Sequence, residues 1–254
     1  MKKNRFILLI YLSILIISNP IISKNKDLSP IPVNSKQMIV VIASTQDSSK
    51  AFLVKYERST PNSKWEIVAN RFDVIVGRSG LAWGNGLHSI ENKEDTKQEG
   101  DKKSPEGIFE LSQVFGFSKS SEVQNLNMPY VHISEMLECI DDESSKHYNK
   151  IIDRDMVDSV DWNTSEKMIK YKTWYDFGVV VNHNTNPVEE GCGSCIFLHY
   201  AKDENDITSG CTAMDPLEMR NIIYWLDSAS NPVLVQLTRQ HYEEYKSIWN
   251  LPKL

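Results

Sequence analysis

Short β-branched runs, separated by proline, glycine and asparagine, constrain this chain more than any other feature. Gln37–Ala43 (QMIVVIA) and Ala51–Tyr56 read as strands, and the turn at Ser59–Ser63 leads into a third at Trp65–Ala69. Arg71–Gly77 continues the antiparallel meander, with Phe72, Val74 and Val76 recurring at every second position. A period of two puts one set of side chains on a core face. Ile108–Leu111, Val131–Ile133, Phe177–Val181, Cys195–Leu198 and Val233–Leu237 carry the same signal to the far end, so the chain reads as mainly β. Helix signals are few. Asp215-Pro216-Leu-Glu218 is a helix start, with Asp215 as N-cap, Pro216 first in the helix and Glu218 at N3. Leu217, Ile222, Trp225 and Leu226 form its expected buried stripe. The last stretch, His241–Leu254, predicts a packed helix with Tyr242, Tyr245 and Trp249 inward.

The ends of the chain set its compartment and organisation. Lys2, Lys3 and Arg5 precede the apolar run Phe6–Ile17, which Asn19-Pro20 breaks, so residues 1–23 read as an export signal. The run is shorter than the ~20 residues that usually span a bilayer, which favours cleavage over an uncleaved anchor. The expected location is the periplasm or cell envelope. Residues 24–35 read as a flexible linker, 36–240 as the folded domain and 241–254 as a helical tail packed on it. Without residues 1–23 the chain keeps 25 cationic against 34 anionic side chains, a net charge of −9. That surface disfavours nucleic acid and anionic lipid, which need clustered cations.

Export also changes how the cysteines are read. Cys139, Cys192, Cys195 and Cys211 meet an oxidising compartment, and the sequence leaves every pairing among them open. A Cys192–Cys195 bridge would leave Cys211 free with Cys139 unpaired, and full pairing would consume Cys211. Cys192-x-x-Cys195 also resembles half a zinc site or a redox pair, but further metal ligands at suitable spacing are missing. The glycines at 77, 80, 84 and 86 lack the order of a phosphate-binding loop, so no cofactor and no metal are expected.

The chemistry concentrates in Gly191–Met214, GCGSCIFLHYAKDENDITSGCTAM. His199 ends an apolar run and Cys211 follows a Ser-Gly pair. A thiol within reach of an imidazole is the kit for nucleophilic attack at a carbonyl, with backbone N–H groups near Gly210 and Cys211 as an oxyanion hole. His183, at the end of Phe177–Val181, is the rival histidine. Asp141 and Asp142 are adjacent, and neighbours on a strand face opposite ways, so a surface role is expected for both.

Three ordered blocks then carry a resemblance: Glu99-Gly-Asp-Lys-Lys-Ser-Pro-Glu-Gly-Ile-Phe109, Asp141-Asp142 with Tyr148-Asn149, and Gly193–Cys211. Across roughly Lys36–Leu237 the chain resembles the L,D-transpeptidase catalytic domains, the YkuD-like family, in the branch with this Glu-Gly-Asp motif. The resemblance implies an L,D-transpeptidase-like β-sandwich with a few short helices. It implies that Cys211 attacks a peptidoglycan stem peptide of the meso-diaminopimelate type, with His199 as base, its other ring nitrogen on a backbone carbonyl. Transfer to a second stem would give a 3-3 cross-link, and transfer to water would make the chain an L,D-carboxypeptidase. A wall-binding protein without catalysis on the same fold is the other alternative. Thr208 and Ser209 are expected to bind substrate beside Gly210, together with Asp142, Tyr148, Asn149 and His183. The commoner family pattern has a histidine at position 209 and an arginine at 213. Here these are Ser209 and Ala213, so Arg78, Lys102 or Arg220 would have to meet a substrate carboxylate. No partner subunit is implied, and a monomer is expected.

Overall fold

The computed structural model describes residues 29–91 and 93–254. The expected export signal and most of the expected linker lie outside the described residues. Eight strands form the frame. They are β1 (Gln37–Ala43), β2 (Lys50–Glu57), β3 (Phe72–Ile75), β4 (Ser104–Gly116), β5 (Phe177–Val181), β6 (Phe197–Tyr200), β7 (Thr212–Met214) and β8 (Val233–Thr238). Their hydrogen-bonded order, β1-β8-β4-β5-β6-β7-β3-β2, returns to β1 and closes the sheet. Only β1–β8 and β6–β7 are parallel pairs on this ring. The mainly β architecture with few short helices is therefore the one the sequence predicts.

β1 shows why its sequence has no polar alternation. Ile39, Val41 and Ala43 join one apolar core, and Met38, Val40 and Ile42 join another on the opposite face. A strand covered on both sides has no solvent face to keep polar. The first core is completed by α1 (Pro216–Trp225), whose N-cap Asp215 accepts the Leu217 N–H at 2.8 Å. The buried face of α1 differs from the expected stripe. Ile222 and Leu226 are buried as expected and Trp225 packs partly buried on the core, but Met219 and Ile223 are also inside and Leu217 is 65% exposed.

The second core is covered by the chain's last stretch. α2 (Arg239–Tyr245) begins directly after β8, where the Thr238 side chain accepts the His241 N–H. Tyr242 and Trp249 are buried against the second core and Tyr245 is partly buried against it. His241 Nδ1 lies 2.7 Å from Oε1 of the fully buried Glu106. That hydrogen bond raises the imidazole's pKa, with burial opposing it, Glu244 adding to it and Lys93 subtracting. A raised histidine pKa stabilises the fold below the unfolded value of about 6.5, and the gain fades as pH rises through the folded value. The wild-type protein should therefore melt above a His241→Gln variant at acidic pH, and the gap should narrow as pH rises past neutrality. Thermal melts across pH test this; a gap that stays constant would refute it.

The middle of the chain, irregular and polar in sequence, folds into a small sheet of its own. Leu137–Cys139 pairs with Ile151–Asp153 on one side and Glu166–Lys167 on the other. A third apolar cluster, including Phe115, Ile133, Met168, Tyr175 and Phe197, seats this insertion against the main sheet. Cys139 and Cys195 are in the same cluster and form a disulfide, a pairing the sequence leaves undecided.

Candidate functional site

Because β6 and β7 run parallel, with His199 opposite Ala213, Cys211 just before β7 comes beside Phe197 at the start of β6. His199 and Cys211 both line a cleft of about 340 Å³, together with Thr208, Ser209 and Gly210. The turn into Cys211 is tightly specified. Gly210 has φ +145°, and a Cβ there would lie 3.0 Å from the Lys103 carbonyl oxygen. The Cys211 carbonyl accepts from Thr208 Oγ1 at 2.7 Å and from Ser104 Oγ at 3.2 Å. Ser104 Oγ in turn accepts the Gly77 N–H at 2.8 Å, so one hydroxyl braces both loops.

The other wall is built from the remaining motif blocks. Glu99 Oε2 accepts from Tyr148 Oη at 2.6 Å and from Ser194 Oγ at 2.7 Å. Tyr148 Oη accepts the Gly193 N–H at 3.1 Å, and Asn149 Oδ1 accepts the Cys195 N–H at 2.9 Å. Tyr148 and Asn149 thus hold the Gly193–Cys195 segment in place and do not themselves line the cleft. His183 is a packing residue too. It is buried, its Nε2 meets the Cys192 carbonyl at 2.9 Å, and burial pushes its pKa down to about 3.

Asp142 and Arg78 also lie elsewhere. Asp142 caps a surface turn, accepting from the Ser144 hydroxyl and from the backbone N–H groups of Asn163 and Ser144, bonds that hold its carboxyl at about 2. Its neighbour Asp141 lines the cleft, which corrects the surface role expected for both: the strand ends at Cys139, so strand alternation does not govern the pair. Arg78 is exposed and approaches the site only through its backbone N–H, which donates to the Thr208 carbonyl at 3.0 Å. Lys102 and Arg220 are likewise absent from the lining. Sequence reading misses the insertion's contribution: Glu166, Tyr171, Trp174 and Tyr175 complete the cleft. No periodic signal marks them. Among the described residues no cluster of three His, Cys, Asp or Glu side chains is placed to hold a metal ion.

The cysteine chemistry corrects the enzymatic expectation. Cys139 and Cys195 are bridged, with the bridge beside the residue expected to be the nucleophile. Cys211 lies outside the bridge, but its sulfur accepts the Phe197 N–H at 3.4 Å and points its proton to the Cys195 carbonyl at 3.6 Å. It keeps a little surface on the cleft yet is surrounded by protein. Burial first, and then Glu166, push its pKa far above the usual thiol range, outweighing the Phe197 N–H and Lys97. His199 Nδ1 does meet a backbone carbonyl, that of Tyr200 at 2.7 Å, but burial lowers the imidazole to about 4. Moving the thiol proton to so weak a base is steeply uphill. An L,D-transpeptidase acting through a cysteine thioester, and equally an L,D-carboxypeptidase, is therefore not what this cysteine arrangement supports.

Comparison with curated proteins and with solved structures returns no match. The family comparison does: residues 39–235 match the model of the YkuD L,D-transpeptidase catalytic domain, in agreement with the closed sheet and the motif blocks. Such membership supports a peptidoglycan-related ligand. By sequence and by fold, the chain belongs to the YkuD family of L,D-transpeptidase catalytic domains.

Proposed function

We propose that the chain is an exported cell-wall protein that binds peptidoglycan stem peptides, of the meso-diaminopimelate type implied by the family, without transferring their acyl groups. The observation that carries this reading is the state of the cleft. Cys211 and His199 are present, but Ser209 and Ala213 stand where the commoner family pattern has histidine and arginine, and the Cys211 thiol is hydrogen-bonded to the Cys195 carbonyl, beside the Cys139–Cys195 disulfide. The cationic start and apolar run within residues 1–23 support delivery to the periplasm or envelope. A binding cleft needs shape and polar partners but no activated nucleophile.

The test combines binding with product analysis. The protein should sediment with isolated peptidoglycan sacculi, and Cys211→Ala should still do so. Incubation with tetrapeptide stem fragments should leave their masses unchanged. A cross-linked or trimmed fragment, or an acyl adduct on Cys211, would overturn the proposal.

A further inference from the structure

Carboxyl groups dominate the cleft. Glu99, Asp141 and Glu166 all line it, and among the described residues no lysine or arginine does. Lys97 is paired with Asp101 at 2.6 Å, and Lys202, outside the lining, lies over the indole of Trp174 at 4.7 Å. Ala213, where the commoner family pattern has arginine, faces a separate cavity of about 390 Å³ shared with Lys50 and Lys202. His199 supplies no compensating charge, since burial keeps it neutral at ordinary pH.

Two further features point to a ligand of one sign. Asp141 Oδ1 is closed off from solvent and has no hydrogen-bond partner, an acceptor without a donor. Such a group is costly unless something arrives to bond it. Tyr171 and Tyr175 stack with ring centroids 5.2 Å apart and, with Trp174, give the cleft an aromatic wall. Aromatic faces attract ammonium groups and cover the methylenes that carry them.

We infer that the cleft selects a stem residue bearing a side-chain ammonium with no free carboxylate beside it, as in lysine or side-chain-amidated diaminopimelate. This rests on the wall-binding reading above. An ammonium gives Asp141 its missing donor and meets Glu166 in the same cleft, whereas a free carboxylate enters among Glu99, Asp141 and Glu166 with no lysine or arginine in the lining to receive it. Tyr175 Oη holds one oxygen of Glu166, and burial raises this carboxyl to about 7, so affinity for the ammonium should strengthen as pH rises through that value. Asp141, Tyr171, Tyr175 and Cys211 are the titratable groups around it.

Calorimetry on the full chain with tripeptide stems tests the inference, the third residue being meso-diaminopimelate, its side-chain amide, lysine or ε-N-acetyl-lysine. The amidated and lysine stems should bind about tenfold tighter than the free diacid, and acetylation should lose about tenfold. Asp141→Asn and Glu166→Gln, each checked for a wild-type circular dichroism spectrum, should shrink that discrimination. Equal or tighter binding of the free diacid overturns the inference and leaves wall binding standing. The same holds if no stem binds while sacculi do. Loss of both removes the wall-binding reading as well, and undiminished discrimination in both variants overturns the roles given to the two carboxyls.

Discussion

Serine at both Cys139 and Cys195 is expected to lower the unfolding free energy by about 4 kcal/mol, seen as a fall in the urea midpoint. The bridge spans 56 residues of chain, and closing a loop of that size removes much of the freedom of the unfolded state. Its position adds a local effect. One end lies on the insertion's strand Leu137–Cys139, and the other precedes β6. Without the bridge the insertion is held by the third apolar cluster, the Glu99–Tyr148 bond and the bonds of Asn149. Since the insertion supplies Glu166, Tyr171 and Tyr175, binding to sacculi should weaken together with stability. A reducing agent should reproduce the loss in the wild-type protein and leave the serine variant unchanged. Cys211→Ser, outside the bridge, serves as the control and should cost about 1 kcal/mol. An unchanged urea midpoint in the double-serine protein would contradict the argument.

The closed sheet is legible in the sequence because its strands are long enough for pattern to show. Gln37–Ala43 and Val233–Thr238 pair over six consecutive positions, and both read as β from their side chains alone. The insertion is not legible for the opposite reason. Its strands, Leu137–Cys139, Ile151–Asp153 and Glu166–Lys167, have two or three residues each, too few for a period to emerge. Glu166, Tyr171 and Tyr175 go unnoticed with it. Cysteine pairing escapes in the same way, since it depends on where the insertion lands. The motif blocks do locate Cys211, His199, Thr208, Ser209 and Gly210 at one cleft. What they do not carry is protonation. The same thiol and imidazole are an activated pair or an inert one according to burial, and burial here drives the thiol up and the imidazole down. Arg78 and Asp142 fail as cleft residues for a simpler reason: Arg78 reaches the site only through its backbone N–H to Thr208, and Asp142, next to Asp141, spends its carboxylate on a surface turn.

Asn149→Ala should lower stability by about 3 kcal/mol, since three backbone groups lose their partner at about 1 kcal/mol each. Asn149 Nδ2 donates to the carbonyls of His183 and Asn184 at 2.8 and 2.7 Å, while Oδ1 accepts the Cys195 N–H at 2.9 Å. One side chain therefore ties the end of β5 to the segment that leads into β6. Its backbone has φ +60°, a left-handed conformation that asparagine tolerates better than alanine does. Asn149→Gly separates the two contributions, because glycine accepts that φ but makes none of the three bonds. Most of the loss should persist in the glycine variant, by chemical denaturation, if the hydrogen bonds dominate; recovery to wild-type stability would assign the effect to backbone strain. Asp142→Ala gives the contrast within the same motif block, since it removes only a surface cap and should change stability far less than Asn149→Ala. Binding to sacculi should fall with Asn149→Ala and hold with Asp142→Ala, because only the first releases the Cys195 N–H and with it the cleft wall that carries Ser194, Cys195 and Ile196.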